Sequence, residues 1–166
     1  MDIAKAISGF RGATITHPIA QTLDKGRNAD RALALAAPLA DLLARLYIAK
    51  VFLIAGWSKI SDWDTTLYLF SDEYRVPLLP TDQAALLGTG GELLFPLMLV
   101  LGFFTRLSAL GLFGLNIVAV ASYWHVLKDV PVALDDHLAW GLMLGLLMTW
   151  PWQVRLRCSV LFVKKL

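Results

Sequence analysis

The chain has 166 residues, 57% of them hydrophobic and only 17% charged, with a mean hydropathy of +0.61; that excludes an ordinary soluble domain of this size and makes a membrane protein the first reading. Its apolar runs approach the roughly 20 residues a helix needs to cross hydrocarbon, and they do not alternate apolar with polar residues as a transmembrane β-barrel would. The net charge of +2 decides little, but no nucleic-acid patch, glycine-rich nucleotide loop or Ser-His-Asp signature is present, and the single cysteine, Cys158, rules out a disulfide or a CxxC thiol relay within this chain.

In chain order, residues 1–37 read as a cytoplasmic or interfacial tail. Ile3, Ile7 and Phe10 fall on one side of a short helix that lies in the interface, with Lys5 and Arg11 reaching headgroups, or docks a partner. No continuous apolar core is present there, so no cleavable signal peptide is expected. THP at 16–18 and KGRN at 25–28 read as breaks, an Ala/Leu-rich run of good helix propensity follows, and Pro38 marks a kink or the start of the membrane helix. Four spans come next, at 39–59, 84–104, 107–127 and 134–152. They make residues 38–153 an all-α, polytopic membrane four-helix bundle, followed by a basic tail at 154–166 in which Cys158 is an idle thiol or a palmitoylation site.

Lys and Arg concentrate before the first span, at Arg106 and after the fourth span, so the positive-inside rule places both termini in the cytoplasm. The first outer connection, 60–83, is too long for a turn and is expected to fold over the outer mouth of the bundle, with Trp63, Tyr68 and Tyr74 as interfacial anchors or ligand contacts. Gly141 and Gly145 form a GxxxG pair suited to close helix approach.

Charges inside spans are costly and usually face the protein interior with a partner. Glu92 is such a charge. If consecutive helices run antiparallel with their midpoints level, near residues 49 and 94, Lys50 lies opposite Glu92, and Arg45, one turn inward, competes for the same carboxylate. Pro96 clashes with the carbonyl of Glu92 and leaves an acceptor beside the carboxylate, while Asn116 in the third span is positioned to bond into this centre. Arg45, Lys50, Glu92 and Asn116 are therefore the candidate cluster, either a buried ion pair that fixes register or a ligand or proton site. His125 and His137 end helices on the outer side near Asp135 and Asp136; these are suitable ligand types, but they do not make a metal site that can be assigned.

RLYIAKVFLIAGWSKI, with Arg45 and a GWSK turn at 56–59, and GGELLFPLMLVLGFFTRLSAL, with Glu92, Gly102, Thr105 and Arg106, resemble the DoxX family of small four-helix bacterial membrane proteins over residues 39–152. The resemblance implies a four-helix bundle in the bacterial inner membrane and marks Arg45, Lys59, Glu92 and Arg106 as motif positions. It also implies association with thiosulfate:quinone oxidoreduction or with oxidative-stress membrane complexes.

Three functions compete. The first is an integral subunit of a redox-linked membrane complex, binding quinone or lipid near Glu92 and Arg45 and docking other membrane subunits. The second is a non-enzymatic accessory or assembly subunit whose buried charges only specify packing. The third is a small-solute carrier, disfavoured by the lack of an inverted repeat. No catalytic residue is assigned and quinone is the one cofactor named; the expected partners are lipids and membrane subunits, with no nucleic acid.

Overall fold

In a computed structural model, residues 18–149 are described, with side chains from residue 35 onward. The expectations for the first 17 residues and for the basic tail with Cys158 fall outside them. The chain divides into two compact units, Met1–Ala36 and Ala37–Leu166. Six helices follow one another and no strand occurs among the described residues: α1 (Pro18–Ser61), α2 (Trp63–Asp72), α3 (Thr81–Leu101), α4 (Thr105–Ser122), α5 (Trp124–Leu127) and α6 (Pro131–Thr149).

Helices α3, α4 and α6 are each long and apolar enough to cross a membrane. Over its second half α1 has the length but carries Asp41, Arg45, Lys50 and Lys59, so composition alone does not mark it as a span. The break read at 25–28 is absent, because α1 is continuous through it and through Pro38. A single glycine among good helix formers does not stop a helix at a cost of about 1 kcal/mol.

The other boundaries follow from local chemistry. Helices α3, which begins just after Pro80, and α6, which begins at Pro131, start about three residues earlier than the apolar runs suggest, and Pro131 takes the first helical position that proline prefers. At the end of α3, Gly102 adopts a left-handed φ of 76° and donates to the carbonyl of Leu99, while the Phe103 amide donates to that of Met98. This is the paired-bond stop for which glycine is preferred. Pro96 lies inside α3, buried, without ending it.

The long connection after α1 is helical over its first half. Asp62 caps α2, its carboxylate accepting from the Thr65 amide at 3.1 Å and from the Thr65 hydroxyl at 2.7 Å. The buried Thr66 hydroxyl, 2.9 Å from both, bonds to the carbonyls of Lys59 and Asp62 and ties the two helices into a corner. Beyond α2, the Arg75 amide bonds to the carbonyl of Ser122 at the end of α4. Phe70, Tyr74, Tyr123 and His125 stack edge-on in a row, ring centres 5.0–5.4 Å apart, across that end of the bundle.

Ile48 and Phe52 of α1, Leu99 of α3, Ala109 and Leu112 of α4, and Leu144 and Leu147 of α6 form the core. In lipid the drive is packing rather than escape from water, so small residues decide how close the backbones come. A Cβ on Gly56 would lie 2.9 Å from Leu93, one on Gly91 2.8 Å from Leu115, and one on Gly111 2.7 Å from the Phe95 ring. The expected GxxxG pair behaves differently: Gly141 faces Asn116 at 3.3 Å and Gly145 has no neighbour within 4 Å.

Candidate functional site

Among the described residues, two ion pairs lie inside the bundle. In the first, Lys59 Nζ of α1 is 2.6 Å from Glu92 Oε2 of α3, with both side chains mostly covered. In the second, Arg45 Nη2 is 2.8 Å from Asp41 Oδ2 one turn earlier on α1, and Nη1 donates to the Leu99 carbonyl at 3.4 Å. These two side chains are 1% and 0% exposed.

The expected partners of Glu92 are therefore corrected. Lys50 is exposed, and Arg45 is turned to Asp41 and α3 backbone instead. The reason is register. Gly56 sits against Glu92 and Leu93, so α1 is displaced by about six residues, roughly 9 Å, from the position that level midpoints would give. Lys59 follows Gly56 by three residues and so shares its face. Both missed partners left a signal: a carboxylate four residues before Arg45, and a glycine one turn before Lys59.

Glu92 and Asn116 both line one chamber, a cavity of about 500 Å³ bounded by all six helices and the 73–80 connection. That volume falls within the roughly 300–1,000 Å³ of small-molecule sites. Most of its lining is apolar, including Val51, Phe52, Ala84 and Leu115, and its polar groups are few: Lys59 with Glu92, Asn116 with His137, and Tyr74, Ser122 and Tyr123. A second, more polar recess of about 370 Å³, lined by Ser58, Asp62, Thr65 and Thr66, reaches Lys59 and Tyr74 from the α1–α2 corner. Lys59 thus stands between the two. Arg45 and Lys50 line neither, and Arg106 is exposed in the first turn of α4.

Asn116 is buried and holds His137 at two points, its Nδ2 donating to the His137 carbonyl at 2.9 Å while Oδ1 lies 2.7 Å from Nδ1. A carbonyl can only accept, which fixes the orientation of the amide. Oδ1 then requires the proton on Nδ1, which leaves Nε2 of a neutral ring as an acceptor. The ring packs edge-on against Trp140 at 4.9 Å, and the Trp140 indole N–H, in the same wall, has no hydrogen-bond partner among the described residues. Burial first, and then the neighbouring Tyr123, Glu92 and Glu73, push the Tyr74 phenol up, so it stays a neutral hydroxyl near neutral pH.

The histidines named as ligand types engage different neighbours. His125 Nε2 is 4.0 Å from Glu73 Oε2 near the surface, and His137 is committed to Asn116. Among the described residues, no group of three or more His, Cys, Asp or Glu comes together.

His137 and Trp140 were not assigned to this centre from sequence, since placing the span start at 134 made His137 a helix-end residue. Starting α6 at Pro131 moves it two turns into the helix. A family model, DoxX, matches residues 40–125, from the second half of α1 to α5. No curated protein and no solved structure matches the chain.

Proposed function

The chain belongs to the DoxX family and is a multi-pass membrane protein, and from that premise we propose that it is an integral subunit of a redox-linked complex in the bacterial inner membrane whose chamber binds a quinone headgroup. The observation that carries this reading is the chamber itself: an apolar space of ligand size with an ion pair on one wall and a bracketed histidine on another. The second half of α1 completes four crossings, and both termini are cytoplasmic, which puts Arg106 on the cytoplasmic side and the chamber towards the outer face.

The residues fit such a headgroup. Ring carbonyls need donors, and Lys59 and Tyr74 stand in the walls. A bound quinone would supply two-electron, two-proton chemistry, with electrons arriving from a partner subunit. Lys59 orients a carbonyl and Glu92 balances its charge inside the span, while the polar recess at Ser58 and Thr65 gives the pair a route to water for exchanging protons. Purified full-length protein is expected to bind a short-tailed quinone saturably, and Glu92→Gln should weaken it at least about tenfold, or about 1.4 kcal/mol. Absence of saturable binding by the wild type ends this reading.

The sealed Asp41–Arg45 pair favours a second reading, an accessory subunit whose charges set packing. In that case Glu92→Gln changes co-purification with the complex and leaves ligand affinity and turnover alone.

A further inference from the structure

A third cavity lies beside the chamber. It is an open groove of about 940 Å³ between α4 and α6, and no Asp, Glu, Lys or Arg lines it. It runs along α6 from Leu134 to Thr149, roughly 22 Å at 1.5 Å per residue. Ile117, Leu138, Leu142 and Leu146 form its rims and are more than half exposed, so in a bilayer it opens to hydrocarbon. Gly145 keeps its floor open, since nothing lies within 4 Å of where its Cβ would be.

The groove and the chamber share two residues, Asn116 and His137, which are the pair joined by two hydrogen bonds. A polar pair at the head of an apolar groove, with a ligand-sized space on its other side, suits an amphiphile better than a second protein. A helix from another copy would fill the groove but has no use for the chamber behind it.

Resting on the reading of the chamber given above, we propose that its ligand carries one long apolar tail lying in the α4–α6 groove, that it enters sideways from the bilayer, and that Asn116 and His137 mark the boundary between head and tail. The ligand class is thus a lipid-soluble ring compound with a polyprenyl or similar chain, and the groove is what distinguishes it from a tail-less ring. The tail contributes by packing against Ile117, Leu142 and Leu146, while the head exchanges lipid for the polar wall of the chamber.

The test uses full-length protein in lipid nanodiscs and two probes, a tail-less naphthoquinone and the same ring bearing a polyprenyl tail. In the wild type the tailed probe should bind at least about tenfold more tightly after correction for its partition into lipid. Gly145→Leu, which fills the groove where no atom opposes it, should remove most of that advantage and leave the tail-less probe unchanged. Tail-independent binding in the wild type, or an advantage that survives Gly145→Leu, overturns the groove while leaving the chamber intact; failure of both probes overturns the chamber and the groove with it. A measurement on unmodified protein guards against misfolding of the variant. A tailed probe with a photoreactive group on its chain should label Ile117, Leu142 or Leu146, and excess tail-less ring should suppress that labelling. Labelling that excess ring does not suppress is bulk lipid contact and counts against the proposal, as does a change in oligomeric state caused by Gly145→Leu.

Discussion

The two ion pairs have the same chemistry and opposite settings. Asp41 and Arg45 belong to one helix, a turn apart, and are closed off by packing, with the guanidinium also reaching the backbone of α3. Lys59 and Glu92 belong to two helices and stand in the wall of a chamber and, for Lys59, of a polar recess. A pair with no space beside it can only hold structure. A pair facing a ligand-sized space can exchange partners, and the difference between the two lies in what surrounds the charges.

The sharpest way to break this contrast is to remove one charge from each pair. Arg45→Ala leaves the buried Asp41 carboxylate without its cation, and its Oδ1 already has no hydrogen-bond partner among the described residues. Losing one partner of a buried pair costs about 3–5 kcal/mol, so thermal unfolding in detergent should shift strongly or folded protein should be lost. The double change Asp41→Leu with Arg45→Leu should recover much of that stability, because it removes both charges and leaves apolar bulk in place.

Asn116→Leu should have the next largest effect on stability. It strips two hydrogen bonds from His137, and leaving buried polar groups unpaired costs about 1–3 kcal/mol. It should also weaken the proposed quinone binding, which Arg45→Ala, measured per folded molecule, should not. Glu92→Gln and Lys59→Met are expected to move stability less than either and ligand affinity more. If the loss of affinity instead tracks the loss of stability across all these variants, the distinction between the two pairs fails.

The smallest effect should come from the exposed corner outside the spans. The Thr65 hydroxyl, and then the Thr65 amide, hold the Asp62 carboxyl below the ordinary carboxylate range. A pKa that folding lowers contributes stability that is complete above the unfolded value and disappears as pH falls through the folded one. Wild type should therefore exceed Asp62→Ala slightly in melting temperature near neutral pH, and the gap should close in acid below the normal range for aspartate.

Much of this arrangement was legible in the sequence. Helices α3, α4 and α6 follow from apolar length, whereas the stop of α3 at Gly102 did not, since the apolar run continues through it to Phe104. The partner of Glu92 did not follow, because register between helices is set by where backbones approach closely, at Gly56, and span midpoints carry no such information. Helix α2 was hidden by the charges and prolines of the 60–83 connection that contains it, although the Asp62 to Thr65 spacing carries a cap signal. The chamber was out of reach for a different reason: it is the space left between six helices and a connection, and no single segment encodes it.

The Thr66 hydroxyl holds the carbonyl of Lys59 at the end of α1. A helix end normally frays, and a lysine there sweeps a wide volume on its four-carbon stem. Clamping the backbone under Lys59 turns a loose tether into a short crane with a fixed base, so its ammonium searches only the arc that contains Glu92. The position of a charge inside the chamber is thus fixed by a residue of the neighbouring helix.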